Sequence, residues 1–540
     1  MSLASPSLRK NLNTIVWLTL TAIVILIAVY VRLRLLDLPL ERDEGEFAYM
    51  GQLLLKGIPP YAGAYSLKLP GTFASYALMM ELFGQSAKGI HLGLLFINMA
   101  TVALVFLLAK RLYDARTGAV AAAAYALLSV SQAVQGVAAH ATHFVVLFAL
   151  AGFVCLLVAI ERRSHVMVFL SALCFGLSFT MKQHAAPVIL FALCFLIWRN
   201  RQDKIPLPKQ LVTMLLFCGG VSIPYLAWAI YLYQQGVFAA FWFWTVQYAA
   251  QYATNTAAED ALNVLAFDGN VLLKTSGALW ILAFLQLIIL LRSKDFRETR
   301  IFLYGLAISS CVAVMPGFFF RQHYFVMMLP AVALLVAAAA TGSFDSTNRT
   351  AATVRKGVTI GTVLLACGVT LFQERDYFFT LPPRQVSRSM YQANPFLESP
   401  AIAAYLRAHT TASDRIGVLG SEPQILFYAD RLSATGYLCM YGLMEDQPFA
   451  DRMQEELIRE VETAKPKYIV LVNIGESWLL RLESHKRIFE WAAKYLEQGY
   501  DITGVIDIID AQTTLVWWDD SAYDRAPQAL NNLIVYRRRV

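Results

Sequence analysis

Long apolar segments constrain the fold of this chain more than any other feature of its sequence. Of the 540 residues, 57% are hydrophobic, which is too high for a soluble protein of this size. Runs of spanning length lie at about residues 14–33, 89–109, 117–134, 138–160, 166–181, 185–198, 210–233, 271–291, 301–316, 324–341 and 357–372. We therefore predict a mainly α-helical, polytopic membrane protein with about eleven transmembrane helices.

The distribution of basic residues predicts the orientation of these helices. If the N-terminus is cytoplasmic, eighteen Lys and Arg residues fall in inside segments and nine in outside segments, which agrees with the positive-inside rule. The formal net charge of +7 is explained by these loops and gives no sign of a nucleic-acid partner. We predict a multi-pass protein of the bacterial inner (cell) membrane, with the segment after the first helix on the extracytoplasmic, periplasmic side.

The first polar segment, residues 41–71, contains three closely spaced acids. Asp43, Glu44 and Glu46 directly follow a membrane helix, where a charged group is costly unless it faces a cavity or takes part in chemistry. Apolar residues at helical spacing predict an amphipathic surface helix over 43–55, with Asp43 near its N-cap. The helix dipole alone also favours acids at this position, so a purely structural interpretation stays open.

Other polar residues fall at the predicted outer ends of the helices. They are His140, His143, Lys182, His184, Arg321, His323 and Tyr324. Each has a structural explanation, such as a snorkelling lysine or a tyrosine of the aromatic belt. Because the predicted topology brings all of them to the side that carries Asp43 and Lys68, we expect a polar cavity at the outer membrane surface.

An aromatic outer loop separates the seventh and eighth runs. Its aromatic residues are Phe238, Phe241, Trp242, Trp244, Tyr248 and Tyr252. This composition is typical of a segment at the membrane interface. It predicts either a membrane-surface anchor or one wall of a groove for a lipid chain.

After about residue 372 the composition becomes polar, and an alternation of helix and strand patterns, typical of a parallel sheet, predicts an α/β domain. Its predicted elements include strands at 416–419, 468–473, 501–510 and 513–518 and a helix near 477–497. We predict a membrane domain over 1–375, with a first outer loop at 35–88, and a soluble extracytoplasmic domain over 376–540. Glu422, Tyr428 and Arg431 either face the cavity or lie on an exposed helix. The segment Gly417–Gly420 lacks the full dinucleotide-binding spacing, and the seven cysteines form no disulfide or metal-binding pattern.

Several of these segments together resemble the GT-C superfamily of membrane glycosyltransferases. They are the Asp-Glu pair after the first helix, the KLPG segment at Lys68–Gly71 and the segment FFRQHYFVMMLP at Phe319–Pro330. The chain is most similar to family 39 proteins, including protein O-mannosyltransferases and the aminoarabinose transferase of lipid A. The resemblance covers roughly residues 10–345.

The resemblance implies transfer of a sugar from a polyprenyl-phosphate carrier to a lipid, glycan or protein acceptor outside the cytoplasm. It places the catalytic carboxylate at Asp43, with Glu44 beside it. Lys68 matches the carrier-phosphate lysine in part, because Leu69 replaces a proline of the family pattern. Contacts to the donor or acceptor are expected from Arg321, His323, Tyr324, Lys182, His143 and Glu46. No cofactor is required, although a divalent ion near the three acids is compatible with the sequence.

Two other function classes are considered. A transporter or flippase for lipid-linked saccharides would also have many helices and a polar cavity, but its ionisable residues usually lie near the bilayer midplane. A non-catalytic membrane assembly subunit would use the C-terminal domain as its binding module. Loss of transferase activity on Asp43→Asn substitution, with the fold preserved, would exclude the assembly subunit.

Overall fold

The computed structural model describes residues 6–252, 258–292, 297–341, 349–523 and 525–539. It divides into two compact units. The helical unit comprises Met1–Leu36, His91–Trp228 and Thr256–Thr380. The sheet unit comprises Asp37–Ile90, Ala229–Asn255 and Leu381–Val540, so it joins the first outer loop and the aromatic loop to the C-terminal region.

Helices dominate the first 380 residues. In chain order they are α1 (Pro6–Arg34), α2 (Arg42–Leu55), α3 (Pro70–Phe83), α4 (Ala87–Leu112), α5 (Ala115–Leu128), α6 (Ala141–Arg162), α7 (His165–Met181), α8 (Ala186–Gln202), α9 (Leu207–Gln234), α10 (Phe238–Trp242), α11 (Ala249–Tyr252), α12 (Ala258–Arg292), α13 (Arg297–Val314), α14 (Leu329–Thr341) and α15 (Arg349–Gln373). A π-helical turn, Phe243–Tyr248, joins α10 to α11.

Each of the eleven apolar runs lies largely within one of these helices, and the chain is a multi-pass membrane protein. Among the described residues, six segments are long and apolar enough to cross a membrane: Trp17–Arg34, Ala87–Leu112, Ala141–Arg162, Leu207–Gln234, Asp260–Leu291 and Gln322–Ala340. Shorter apolar helices include α5 and α7. The mainly helical fold is therefore confirmed, whereas a count of eleven crossings stays a prediction.

Small and aromatic residues hold the helical unit together. Helix α6 packs against α7, where a Cβ on Gly152 would lie 2.9 Å from the Phe175 ring. The Phe153 ring contacts both Phe175 and Phe302, with ring centroids 5.1 and 5.2 Å apart. The alanine-rich α5 packs against α1 and α14, because small side chains allow close approach of the helices.

The C-terminal region contains short helices around a sheet. Its helices are α16 (Pro383–Tyr391), α17 (Ser399–His409), α18 (Pro423–Ala429), α19 (Tyr441–Met444), α20 (Ala450–Ala464), α21 (Gly475–Trp478) and α22 (Arg487–Gly499). Its strands are β1 (Arg415–Leu419), β2 (Leu432–Ser433), β3 (Tyr468–Asn473), β4 (Tyr500–Ile508), β5 (Thr514–Trp518) and β6 (Asn531–Arg538).

The sheet is mixed, not parallel throughout. Its strand order is β2-β1-β3-β6-β4-β5. Strands β1, β2 and β3 are parallel, whereas β6 is antiparallel to both β3 and β4, and β5 is antiparallel to β4. The predicted strands at 416–419 and 468–473 are present, whereas β6 was missed. The helix predicted near 477–497 is interrupted between Trp478 and Arg487.

Within the sheet unit, α2 packs against both α3 and α18. A Cβ on Gly45 would lie 2.6 Å from the backbone nitrogen of Gln424, so only glycine permits this approach of α2 to α18. On the other face of α2, Phe47 contacts Phe73 and Tyr76 of α3. The first half of α2 is thus held between α3 and α18.

Candidate active site

The N-terminus of α2 is fixed by a capping box. The Glu41 carboxylate accepts a hydrogen bond from the Glu44 backbone N–H at 2.8 Å, and the Glu44 carboxylate accepts one from the Glu41 N–H at 3.3 Å. The N-cap is Glu41, and Asp43 lies near it at the second helical position, as the sequence predicts. The two carboxylates used for capping are those of Glu41 and Glu44.

Asp43 and Lys68 lie within ion-pair distance of each other. The Lys68 Nζ is 3.8 Å from the Asp43 Oδ2, and their side chains are 12% and 25% exposed. The Tyr61 hydroxyl donates a hydrogen bond to the Lys68 carbonyl at 2.7 Å, and the Lys68 Nζ lies 5.9 Å from the Phe47 ring centroid. A carboxylate that can act as a base and a cation therefore lie close together within the first outer segment.

Glu46 lies one helical turn after Asp43 and is buried, at 5% exposure. The pKa of Glu46 is raised to about 7, chiefly by burial; the Lys68 charge and a hydrogen bond with Ser66 oppose this shift, and the Asp43 charge adds to it. This carboxyl group is thus half protonated near neutral pH. Its position beside Asp43 and Lys68 means that its charge alters the electrostatics of the pair.

We expect Glu46 to make stability depend on pH. Its ordinary pKa is 4.5, so between pH 4.5 and 7 the unfolded chain releases a proton that the folded chain retains. Stability therefore falls as pH rises through this window, by about 3 kcal/mol, and levels off above it. Thermal unfolding of the detergent-solubilised protein from pH 4.5 to 8 measures this slope. Glu46→Gln should flatten it, whereas Glu81→Gln, at an exposed position, should not; equal slopes in all three proteins would contradict the assignment.

Glu44 is placed differently from Asp43. It is 1% exposed and its carboxylate is used in the capping box. Its predicted catalytic role therefore remains a prediction, and the geometry favours a structural role. Carboxylate oxygens such as those of Asp43 and Glu46 are the donor type that Mg²⁺ or Ca²⁺ takes, so a divalent ion at these two acids also stays a prediction.

Arg42 joins the helix that carries Asp43 to the C-terminal region. Its guanidinium donates to the Glu422 Oε1 at 2.6 Å, to the Ser421 carbonyl at 2.5 Å and to the Asn394 Oδ1 at 2.9 Å. It also lies 5.5 Å from the Phe396 ring centroid. Burial alone would lower the pKa of Arg42, but the Glu422 carboxylate raises it overall, so the buried guanidinium keeps its charge.

The sequence predicts that Glu422, Tyr428 and Arg431 either face a cavity or lie on an exposed helix. The exposed helix is wrong because α18 is largely buried, whereas the cavity stays a prediction. Glu422 is fully buried against Arg42. The Tyr428 hydroxyl accepts a hydrogen bond from the Leu40 N–H at 2.8 Å, and Arg431 is 8% exposed and bonds the Thr410 side chain. These residues attach the first outer loop and α17 to the domain.

In the helical unit, Lys182 and His184 meet Tyr324. The Lys182 Nζ lies 3.8 Å from the Tyr324 ring centroid, and the His184 ring packs edge-on to it at 4.7 Å. Lys182 and His184 lie at the junction of α7 and α8, and Tyr324 lies on a 3₁₀-helix, Gln322–Met328. Contact with a tyrosine face stabilises a cation that is only 3% exposed.

His323 and Arg321 belong to the same polar region. The His323 ring stacks on His140 at 4.0 Å, and its backbone carbonyl accepts a hydrogen bond from the Thr142 hydroxyl. Arg321 lies 5.6 Å from the Phe319 ring centroid. We call Lys182, His184, Arg321, His323 and Tyr324 the basic cluster. Contacts thus join five of the residues predicted at the outer helix ends, namely Lys182, His184, Tyr324, His323 and His140, and Arg321 is two residues before His323 in the chain.

His143 lies one turn into α6 and is 1% exposed. Neither of its ring nitrogens has a hydrogen-bond partner among the described residues. A buried imidazole of this kind is suited to a water or ligand partner. Its predicted role in substrate binding stays a prediction.

Sequence reasoning missed two polar contacts. The Gln322 side chain donates to the Asp268 Oδ1 at 3.2 Å, and the Gln132 backbone N–H donates to the Glu374 Oε2 at 2.9 Å. Asp268 and Glu374 are isolated acids next to apolar runs, which is the signal that could have singled them out.

Comparison with known proteins identifies similar proteins of one superfamily. The family model described as dolichyl-phosphate-mannose-protein mannosyltransferase matches residues 68–228. No curated protein sequence matches the chain at a significant level.

Three solved structures share the fold. ArnT from Cupriavidus metallidurans bound to undecaprenyl phosphate is 14% identical, with a TM-score of 0.55, and covers 96% of this chain and 98% of its own. The Archaeoglobus fulgidus oligosaccharyltransferase is 13% identical, with a TM-score of 0.54, and the match covers 95% of this chain and 75% of the oligosaccharyltransferase. The arabinofuranosyltransferase AftD from Mycobacteria is 12% identical, with a TM-score of 0.51 and coverages of 96% and 40%.

Proposed function

We propose that this chain, which has the fold of the GT-C superfamily of membrane glycosyltransferases, transfers a sugar from a polyprenyl-phosphate-linked donor to an acceptor. The acceptor is a lipid, glycan or protein on the extracytoplasmic face of a bacterial inner membrane that the chain crosses eleven times. Transfer inverts the anomeric centre, and Asp43 is the general base.

The pairing of Asp43 with Lys68 is the observation that carries this proposal. A hydroxyl or amine acceptor must lose a proton as it attacks, and a carboxylate within hydrogen-bond reach accepts it. The leaving phosphate gains negative charge at the same time, and a nearby ammonium stabilises that charge. Asp43 and Lys68 place both groups 3.8 Å apart.

The transfer step is a single displacement. The acceptor oxygen or nitrogen forms a bond to the anomeric carbon as the bond from that carbon to the phosphate oxygen breaks. The acceptor proton passes to Asp43, and the bonding electron pair stays on the polyprenyl phosphate beside Lys68. Attack opposite the leaving group inverts the anomeric configuration.

The donor class is supported by the neighbours' ligands and by the basic cluster. The ArnT structure holds undecaprenyl phosphate, and one structure of the archaeal oligosaccharyltransferase AglB holds dolichol-phosphate. We assign donor or acceptor contacts to Arg321, His323, Tyr324, Lys182, His143 and Glu46, because phosphate and sugar hydroxyls are bound by such cationic and hydrogen-bonding groups.

Lys68→Ala tests the cationic half of the site. We expect kcat/KM for the lipid-linked donor to fall by about 100-fold, with kcat lowered and KM raised, because the ammonium contact strengthens as the phosphate leaves. The assay is release of polyprenyl phosphate from purified protein in nanodiscs. Lys68→Arg should retain part of the activity. Lys88→Ala, which changes an exposed residue of α4, should retain full activity. Unchanged kinetics for Lys68→Ala would contradict the role of this residue.

A further inference from the structure

One edge of the sheet carries a set of exposed aliphatic side chains. Leu482 and Leu530 are each 96% exposed, Leu480 is 52% exposed and Ile509 is 46% exposed. They belong to three separate loops, which follow α21, precede β6 and follow β4. Single exposed leucines are common on protein surfaces, so the shared position of these four is what needs explanation.

The strand register places these loops at one edge. Asn473 at the end of β3 pairs with Asn532 at the start of β6, so the β3–α22 and β5–β6 loops are neighbours. Ile508 at the end of β4 pairs with Asn531 and with Thr514 at the start of β5. The loops at 420–422, 474–486, 509–513 and 525–530 therefore share one edge, which we call the Leu482 edge.

Two segments that follow apolar helices along the chain have contacts at this same edge. In the segment after α1, the Arg42 guanidinium donates to the Ser421 carbonyl at 2.5 Å. In the segment after α15 and α16, the Glu398 Oε1 accepts a hydrogen bond from the Thr514 hydroxyl at 2.7 Å. Each of these two segments therefore reaches the Leu482 edge.

A third membrane-connected segment attaches nearby. The aromatic loop follows the candidate span α9, and its Tyr248 hydroxyl donates to the Glu445 Oε2 at 3.1 Å. Four residues before Glu445, the Tyr441 hydroxyl donates to the Glu476 carbonyl at 3.2 Å, in the short helix α21 that precedes Leu482. Three segments that follow apolar helices thus have contacts at this edge of the domain.

The opposite edge has the reverse character. A cleft of about 440 Å³ there is lined by five basic side chains, Arg415, Lys465, Lys467, Arg537 and Arg538. These residues lie at the start of β1, before β3 and at the end of β6. We call this the Arg537 edge. Its charge is compatible with water and unsuited to the apolar part of a bilayer.

We propose that the Leu482 edge inserts into the membrane interface, with Leu480, Leu482, Ile509 and Leu530 among the lipid acyl chains. Arg481 and Lys486 lie on the same loop as Leu482, beside the acid Glu483, and basic residues of this kind can contact anionic lipid headgroups at an interface. The occupant is lipid because three segments that continue from apolar helices attach at this edge. The anchor fixes the domain whose Glu422 holds the helix of Asp43, and it does not depend on the transferase reaction.

Fluorescent labelling of the full-length protein tests this proposal. Leu482→Cys, Leu530→Cys and the exposed Ala412→Cys at the Arg537 edge are each labelled with an NBD probe, in a background with the exposed Cys194 and Cys218 replaced by serine. The background protein without an introduced cysteine is treated in parallel, so that the signal from label on the remaining native cysteines can be subtracted. Each protein is placed in nanodiscs of phosphatidylethanolamine and phosphatidylglycerol, with and without doxyl-labelled lipid.

At positions 482 and 530 we expect blue-shifted emission, quenching by the doxyl lipid and protection from aqueous iodide. At position 412 we expect the reverse. Quenching of all three probes by iodide alone would overturn the proposal. The proposal would also be overturned if the probe at 482 were protected from iodide, were not quenched by doxyl lipid, and became more protected as the protein concentration rose. That result would indicate contact with a second copy of the chain. The two loops are independent, so a folding defect in one variant leaves the other as a test.

Discussion

Asp43→Asn is expected to lower kcat for sugar transfer by about 10²–10⁴-fold, because the amide cannot accept the proton of the attacking acceptor. The substitution preserves the size and shape of the side chain and keeps one acceptor oxygen. Donor binding should therefore change little, and the loss should appear in kcat. The measurement is steady-state transfer from a polyprenyl-phosphate sugar by purified protein in nanodiscs.

Asp37→Asn is the matched control, because Asp37 lies in the same outer segment, is exposed and is five residues before α2. It should retain full activity. If Asp43→Asn were as active as the parent, Asp43 would not be the base. If Asp43→Asn lowered both activity and thermal stability, the result would favour a structural role for Asp43, as an acid that stabilises a helix N-terminus.

Glu422→Gln is expected to destabilise the sheet unit by about 3–5 kcal/mol, because it leaves the buried Arg42 guanidinium without a counter-charge. Arg42 is next to Asp43 on α2, so kcat should also fall, although Glu422 itself touches no substrate. The measurement is a denaturant or thermal unfolding curve together with transfer kinetics.

Two controls separate this effect from a general loss of charge. Asp430→Asn breaks the exposed Lys56–Asp430 pair, whose side chains are 36% and 45% exposed, and should cost at most about 1 kcal/mol. The double variant Arg42→Met, Glu422→Leu removes both buried charges and should recover much of the stability. A Glu422→Gln variant as stable as the parent would show that the pair is not needed to hold α2.

The membrane body of the protein could be predicted from the sequence because its signal is local. An apolar run is visible in the residues that form it, and the predicted runs correspond to α1, α4–α9 and α12–α15. The resemblance to the GT-C superfamily, drawn from segments such as Asp43–Glu44 and Lys68–Gly71, is confirmed at the level of the fold. Asp43 could be singled out because it is charged next to a membrane helix.

The attachment of the C-terminal domain could not be predicted, because it depends on contacts between residues far apart in the chain. Arg42 and Glu422 are separated by 380 positions in the chain, and nothing about either residue type identifies the other as its partner. For the same reason no local pattern indicates that β6 inserts between β3 and β4 and makes the sheet mixed. Glu422 was noticed for its polarity, but its burial follows only from that long-range pairing.

The most direct test of the proposed function is a product analysis with purified protein and a polyprenyl-phosphate donor of defined anomeric configuration. The proposal predicts one polyprenyl phosphate released for each sugar transferred, with the anomeric configuration of the product inverted when measured by NMR. Retention of configuration would contradict a single displacement with Asp43 as base. Movement of intact donor across the bilayer, with no cleavage under any acceptor tested, would contradict a transferase altogether and favour a flippase.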